Sequence, residues 1–101
     1  HEKCSKMILD RLGDNPIYVT FDLDCLDPTV APGVANIESA FRGFNMDEAR
    51  KLLQSLKGRN VIGGDVACLM PTKDSPNNIT SMVAAAVMFE IICLISINLK
   101  K

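Results

Sequence analysis

The apolar positions of the chain change between helical and strand spacing, and this pattern predicts the order helix, strand, helix, strand, helix. In residues 2–12, Cys4, Ile8 and Leu12 recur at the spacing of one helix face. Residues 17–24 are rich in β-branched and aromatic side chains, which is typical of a strand. The first third of the chain therefore predicts a helix followed by a strand.

The rest of the chain continues with a helix, a strand and a longer helix. Asn45 suits a helix N-cap, and Glu48 stands where a capping box requires it, so we expect a helix from there to about residue 56. Residues 61–70 are almost wholly apolar, which predicts a strand buried on both faces. Residues 79–97 predict a long apolar helix.

This order of elements predicts the fold class. Strand, helix and strand in succession form a βαβ unit with a right-handed crossover, which gives an α/β protein with a parallel sheet. Because two strands are too few for an independent sheet, we expect other parts of the same domain to complete it.

The last predicted helix allows two interpretations. Between Ile79 and Ile97 its only charged residue is Glu90, and its length would suffice to cross a membrane. The alternative is a helix buried between the sheet and neighbouring helices or subunits. A carboxylate in the middle of a membrane span is costly, so we favour the buried helix and expect no membrane partner.

Composition narrows the classes of function. The 101 residues carry 11 Lys+Arg against 12 Asp+Glu, which argues against a generally basic nucleic-acid-binding protein. The chain has four cysteines without a C-x-x-C pair, and His1 is the only histidine, so a zinc site is not indicated. We expect reduced thiols, with Cys25 and Cys93 acting as small apolar residues, and a cytoplasmic location.

Candidate chemistry lies at the end of the first predicted strand. Asp22 and Asp24 would share one face there by strand alternation, at the edge where open α/β sheets bind ligands. Two adjacent carboxylates repel each other, and a divalent cation such as Mg²⁺ or Mn²⁺ removes that repulsion. The alternative is that these aspartates only cap the following turn.

A short stretch resembles phosphatases of the haloacid-dehalogenase type. The letters Phe-Asp-Leu-Asp at residues 21–24 look like the opening of that family's first motif. Cys25 and Leu26 stand where the family has Gly and then Thr or Val, and Gly64-Asp65 matches only half of its late acidic motif. A phosphatase is therefore kept as an alternative function.

A far longer stretch resembles the ureohydrolase superfamily, which includes arginases, agmatinases and formimidoylglutamases. Residues 16–33 look like its pattern S-F-D-x-D-x-x-D-P followed by A-P-G, with Thr20 in place of Ser. The resemblance continues through the capped helix, through V-I-G-G-D-V at residues 61–66, and on to Pro71, Asp74 and Ile79-Thr80. It implies an arginase-like three-layer α/β/α fold. Residues 1–101 would be the C-terminal βαβα portion of one such domain.

The resemblance also implies a function and a set of site residues. The expected activity is metal-dependent hydrolysis of a C–N bond in a small guanidino, amidino or formimidoyl compound, with two manganese ions, in a homo-oligomer. Asp22 and Asp24 match metal-ligand aspartates of the family. Asp27 is expected to hold the loop, and Asp65 to support the ligands without binding metal.

Two departures from the family pattern leave alternatives open. The histidine-containing metal motifs of the family lie upstream and are absent, so this chain would supply at most two of the expected ligands and be inactive alone. Cys68 stands where the family has the Glu that binds the substrate's guanidinium, so it is the substrate-binding candidate. A neutral thiol cannot form a bidentate charged pair with a guanidinium. Cys68 could instead be a core residue, and the protein a non-catalytic relative acting in assembly.

Overall fold

A computed structural model of the chain describes residues 2–36 and 43–101. Within these residues, three helices and two strands occur in the predicted order: α1 Glu2–Leu12, β1 Ile17–Asp22, α2 Met46–Gln54, β2 Val61–Ala67 and α3 Ile79–Leu99. β1 and β2 pair in parallel, which confirms the predicted βαβ arrangement.

The helix that connects the two strands begins as its sequence predicts. The Asn45 side chain accepts a hydrogen bond from the Glu48 backbone N–H at 2.8 Å. The Glu48 carboxylate accepts one from the Asn45 N–H at 3.0 Å, so both halves of the capping box are present. Regular helix ends at Gln54, two residues before the predicted end, and the chain then turns towards Gly58, whose φ is +84°.

One face of the sheet is covered by α2 and α3. A Cβ atom on Gly64 would lie 2.7 Å from Cγ2 of Ile91, so the absence of a side chain lets α3 approach the sheet closely. The core between the layers consists of buried Leu53, Val87 and Ile91, packed against the partly buried sheet residues Val19, Phe21 and Val66.

Both strands are shorter than predicted. β1 ends at Asp22 because the Asp22 side chain accepts the Asp24 N–H at 3.1 Å, and residues Leu23–Cys25 form a 3₁₀ turn. β2 ends at Ala67 because Cys68 has a left-handed backbone, with φ of +73°. In this chain Val61 is the buried residue of β2 and Ile62 is 60% exposed, so burial of the strand on both faces stays a prediction for the completed sheet.

The helix α3 is long and apolar enough to cross a membrane, with a mean hydropathy of 2.3. Its packing within this chain involves one side, and 17% of its most apolar window is buried. Val87, Ile91 and Leu94 are buried on one side. Glu90 lies 3.2 Å from the Nε of Arg50 on α2 and also accepts a hydrogen bond from Gln54. The carboxylate that argued against a membrane span is therefore paired with a neighbouring helix.

Candidate metal centre

The two candidate ligand carboxylates are positioned by the turn that ends β1. Asp22 is the last residue of the strand, and Asp24 lies in the 3₁₀ turn. Strand alternation was therefore the wrong reason to place them together. The hydrogen bond from the Asp24 N–H to Oδ1 of Asp22 holds the turn against the strand end, and it keeps the two side chains in one cluster.

Cys68 joins this cluster from the neighbouring strand. Ala67, the last residue of β2, pairs with Asp22, so Cys68 follows β2 beside the end of β1. One carboxylate oxygen of Asp22, one of Asp24 and the Sγ of Cys68 all lie within 4.8 Å of one another. Cys68 is exposed in this chain, so its interpretation as a core cysteine gains no support from the described residues.

Hydrogen bonding sets the protonation of the cluster. The Cys68 thiol donates to Asp22, which favours the protonated thiol and raises the pKa of Cys68, with partial desolvation and the nearby aspartates adding to the effect. Partial burial would raise the pKa of Asp22, but the Asp24 N–H and the thiol outweigh it and lower that pKa. Without a metal, the cluster at neutral pH therefore contains an ionised Asp22 beside a neutral thiol.

Asp65 lies outside this cluster and is held by β1. It pairs with Thr20 across the sheet. The Thr20 hydroxyl donates to one carboxylate oxygen at 2.7 Å, and the Tyr18 hydroxyl donates to the other at 3.0 Å. The hydrogen bond to Asp65 also raises the pKa of Tyr18. The predicted supporting role of Asp65 stays a prediction, and the sequence reasoning missed both hydroxyl partners, although their alternation with apolar residues in β1 marks one polar face.

Asp27 shapes the loop that leaves the turn. Its carboxylate accepts the Thr29 N–H at 2.9 Å and the Thr29 hydroxyl at 2.7 Å, and these bonds lower the pKa of Asp27. Its own N–H donates to the Phe44 carbonyl at 2.9 Å. These contacts are suited to the loop-holding role expected of Asp27. Cys25, in the preceding turn, packs against a buried cluster that includes Leu23 and Leu26, and it acts as a small apolar residue, as predicted.

Another carboxylate, that of Asp74, has no role predicted from the sequence and organises the start of α3. Asp74 accepts the backbone N–H groups of Ser75, Thr80 and Ser81 at 2.8–2.9 Å, together with the Ser81 hydroxyl at 2.9 Å. Burial opposes its ionisation, but these hydrogen bonds hold the pKa of Asp74 far below its usual range. An Asp shortly before a helix start is the signal that could have revealed this anchor.

The same anchor fixes the A-P-G loop. The Gly33 N–H donates to the Thr80 hydroxyl at 2.8 Å, and the Gly33 carbonyl accepts the Met70 N–H at 2.7 Å. A Cβ atom on Gly33 would lie 3.0 Å from Thr80, so a glycine suits this contact. The loop after β1 is thereby tied both to the exit of β2 and to the first turn of α3.

The chemistry of the clustered donors fits a divalent cation. Carboxylate oxygens suit Mn²⁺, and a thiolate suits softer ions such as Zn²⁺. Asp22 and Cys68 are exposed and open to an approaching ion, whereas Asp24 is half-buried. The cluster can therefore contribute up to three ligand atoms to one edge of a metal site.

Comparison with known proteins decides the family. A family model described as the arginase family matches residues 1–94. The chain belongs to the arginase family. It is 39% identical to an agmatinase from Photorhabdus laumondii over 86% of this chain and 27% of that relative.

Solved structures of arginase-family relatives share the fold. Proclavaminate amidino hydrolase from Streptomyces clavuligerus superposes with a TM-score of 0.88 at 28% identity, over 96% of this chain and 32% of that one. A hypothetical agmatinase from Burkholderia thailandensis gives 0.83 at 35% identity, over 92% and 28%. The expected arginase-like α/β fold is confirmed, and the four-letter resemblance to phosphatases does not identify the family. The chain spans about a quarter of the length of the curated relatives it matches.

Proposed function

We propose that the protein containing this chain hydrolyses a C–N bond of a small guanidino or amidino compound with the help of divalent metal. The observation that carries the proposal is the cluster of Asp22, Asp24 and Cys68 within 4.8 Å, in an arginase-family chain at the carboxyl ends of parallel strands. Residues 1–101 would be the C-terminal segment of a single catalytic domain. The agmatinase names of its relatives support this class of substrate.

The contacts of this chain's residues support the roles that we propose for them. Asp22 and Asp24 would hold manganese, with further ligands from segments beyond this chain. When bound, a pair of metal ions supplies an activated water molecule and stabilises the charge that develops during attack on a guanidinium or amidine carbon. Asp24 also orients Asp22 through its backbone N–H, while Asp27 holds the loop that follows.

Cys68 would border the position of the substrate. An uncharged thiol offers a guanidinium no bidentate ion pair, and losing such a pair with a desolvated cation costs on the order of 2–4 kcal/mol. We therefore propose that turnover of agmatine or arginine is lower, by roughly 30- to 1000-fold, than in relatives with Glu at this position. A compound with a less basic amidine or formimidoyl group would lose less.

Hydrolysis assays with the full-length protein test this function. The protein would be stripped of metal, reloaded with Mn²⁺ and incubated with agmatine, arginine, guanidinobutyrate and formimidoylglutamate, while the released urea, formamide and amine are measured. We expect hydrolysis of at least one compound only after reloading, and its loss in Asp22→Asn. Asp47→Asn is the matched control, because Asp47 is a surface carboxylate on α2 that pairs with Lys51 of the same helix at 3.0 Å.

Two results would contradict the proposal. Bound manganese without hydrolysis of any compound would favour the non-catalytic alternative. Phosphate release from p-nitrophenyl phosphate by the same preparation, lost in Asp22→Asn, would favour a phosphatase.

Location and assembly are also part of the proposal. We propose a cytoplasmic homo-oligomer, and the four free thiols are consistent with a reducing compartment. Cell fractionation and light scattering of the full-length protein test these two points.

A further inference from the structure

We propose that the sulfur of Cys68 is itself a ligand of the metal ion held by Asp22 and Asp24. The site would then combine oxygen and sulfur ligands and prefer Co²⁺, Zn²⁺ or Cd²⁺ more strongly than a site of oxygen ligands alone. This inference rests on the proposed metal site, and it assigns to Cys68 a role beyond bordering the substrate.

The distances within the cluster suit a shared ion. Metal–oxygen bonds are about 2.1 Å and metal–sulfur bonds about 2.3 Å, so an oxygen and a sulfur on opposite sides of one ion are separated by about 4.4 Å. No pair among the three ligand atoms exceeds 4.8 Å. The three atoms are therefore close enough for side-chain movements to bring them around a single ion.

The direction of the thiol supports the same role. Cys68 is the first residue after β2, and its Sγ already lies within 4.8 Å of a carboxylate oxygen of Asp22 and of one of Asp24. The thiol is exposed at the cluster, unlike that of Cys25, which packs into the core beside the same turn. The sulfur therefore comes from the residue after β2, and the two carboxylates come from the end of β1 and the turn that follows it, so the donors reach an ion from two different segments.

Ligand chemistry then predicts the metal preference. On binding, the S–H bond breaks, the proton passes to solvent, and a sulfur lone pair is donated to the ion without any change of oxidation state. Thiolates favour softer divalent ions, whereas carboxylates alone favour Mn²⁺ and Mg²⁺.

Cobalt spectroscopy on the metal-free full-length protein tests the assignment. We expect a thiolate-to-cobalt charge-transfer band in the near ultraviolet for the wild type. The band should persist in Cys4→Ser, which removes an exposed thiol on α1, and disappear in Cys68→Ser. The preference for Cd²⁺ over Mn²⁺, measured by competition, should fall on the order of tenfold or more in Cys68→Ser only.

The outcomes separate this inference from the function on which it rests. Cobalt bound to the wild type without the band would overturn sulfur ligation and leave the metal site intact. A wild type that binds no divalent ion would overturn both.

A second measurement needs no variant. Alkylation of wild-type thiols, mapped to individual cysteines by mass spectrometry, should slow at Cys68 and not at Cys4 when Cd²⁺ is added. Equal alkylation rates at Cys68 with and without bound Cd²⁺ would contradict the proposal.

Discussion

Asp22 and Asp74 each stand where one element gives way to the next, but their carboxylates meet different surroundings. Asp74 accepts three backbone N–H groups and a hydroxyl at the start of α3. Asp22 accepts one backbone N–H and a thiol, and it stands exposed beside a second acid, Asp24. The Asp74 carboxylate is surrounded by hydrogen-bond donors from the protein, whereas the Asp22 carboxylate lies in an exposed group of potential metal ligands.

The comparison teaches that the direction of a pKa shift does not distinguish the two roles. Hydrogen bonds lower the pKa of both Asp22 and Asp74 against an opposing effect of burial. The identity of the donors distinguishes them. The backbone N–H groups around Asp74 stay in place while the protein is folded, so its carboxylate has a structural role. The Cys68 thiol can instead lose its proton, and an oxygen of Asp22 is then available to an ion.

The largest expected effect is on the open cluster. Asp22→Asn or Asp24→Asn in the full-length protein should lower kcat/KM by about 10³-fold or more and lower the bound metal, because the neutral amide is a poorer ligand. The melting temperature of the metal-free protein should change little. Elemental analysis and steady-state kinetics measure both effects, and unchanged metal stoichiometry in both variants would remove the basis of the comparison.

The converse effect is expected at the helix anchor. Asp74→Asn should lower Tm by about 2–4 °C, since the amide is a weaker acceptor for the N–H groups at the start of α3. Metal content should stay that of the wild type. Calorimetry and elemental analysis on one preparation check this, and a loss of metal without a loss of stability would show that the two roles are assigned the wrong way round.

Acidification should remove the contribution of Asp74 to the stability of the folded protein. Its pKa is lowered in the folded state, so its stabilisation is complete above the unfolded value of about 3.9 and is lost as the pH falls below that value towards the folded pKa. The difference in Tm between wild type and Asp74→Asn should therefore be constant from pH 7 to about 5 and shrink below about pH 4. A difference that grows on acidification would contradict the anchor.

The smallest effect is expected at Asp65, whose carboxylate accepts hydrogen bonds from two side-chain hydroxyls. Thr20→Val removes the 2.7 Å hydrogen bond to Asp65 and should lower the free energy of unfolding by about 0.5–1.5 kcal/mol without altering metal content. Tyr18→Phe is the matched variant, because it removes the other hydroxyl from the same carboxylate. Urea denaturation measures the stability of both variants. A lower metal content in either variant would indicate that Asp65 belongs to the metal site.

The local pattern of the sequence was sufficient for most of the fold. The capping box at Asn45 and Glu48 and the alternation in β1 act within a few residues, so the order of elements and the parallel pairing could be predicted. The exact end of β1 could not, because it depends on Asp22 using its own side chain to capture a backbone N–H. The left-handed backbone of Cys68 could not be predicted either, because non-glycine residues rarely adopt a positive φ.

The site could be predicted only in part, because the sequence reveals contacts between residues close in the chain and not contacts between distant ones. The D-x-D pair is local, so its spacing alone indicates Asp22 and Asp24, although a turn and not strand alternation brings them together. The contacts that hold the surroundings join residues far apart in the sequence. Thr20 meets Asp65 only through strand register, and Gly33 meets Thr80 only once α3 is anchored, so neither pair can be inferred from spacing alone.

Anomalous X-ray scattering from crystals of the full-length protein grown with Mn²⁺ would test the central assignment most directly. We expect an anomalous peak within bonding distance, about 2.0–2.3 Å, of carboxylate oxygens of both Asp22 and Asp24, and none at Asp74. Manganese bound elsewhere in an active, manganese-loaded crystal, with no peak beside Asp22 and Asp24, would contradict the account.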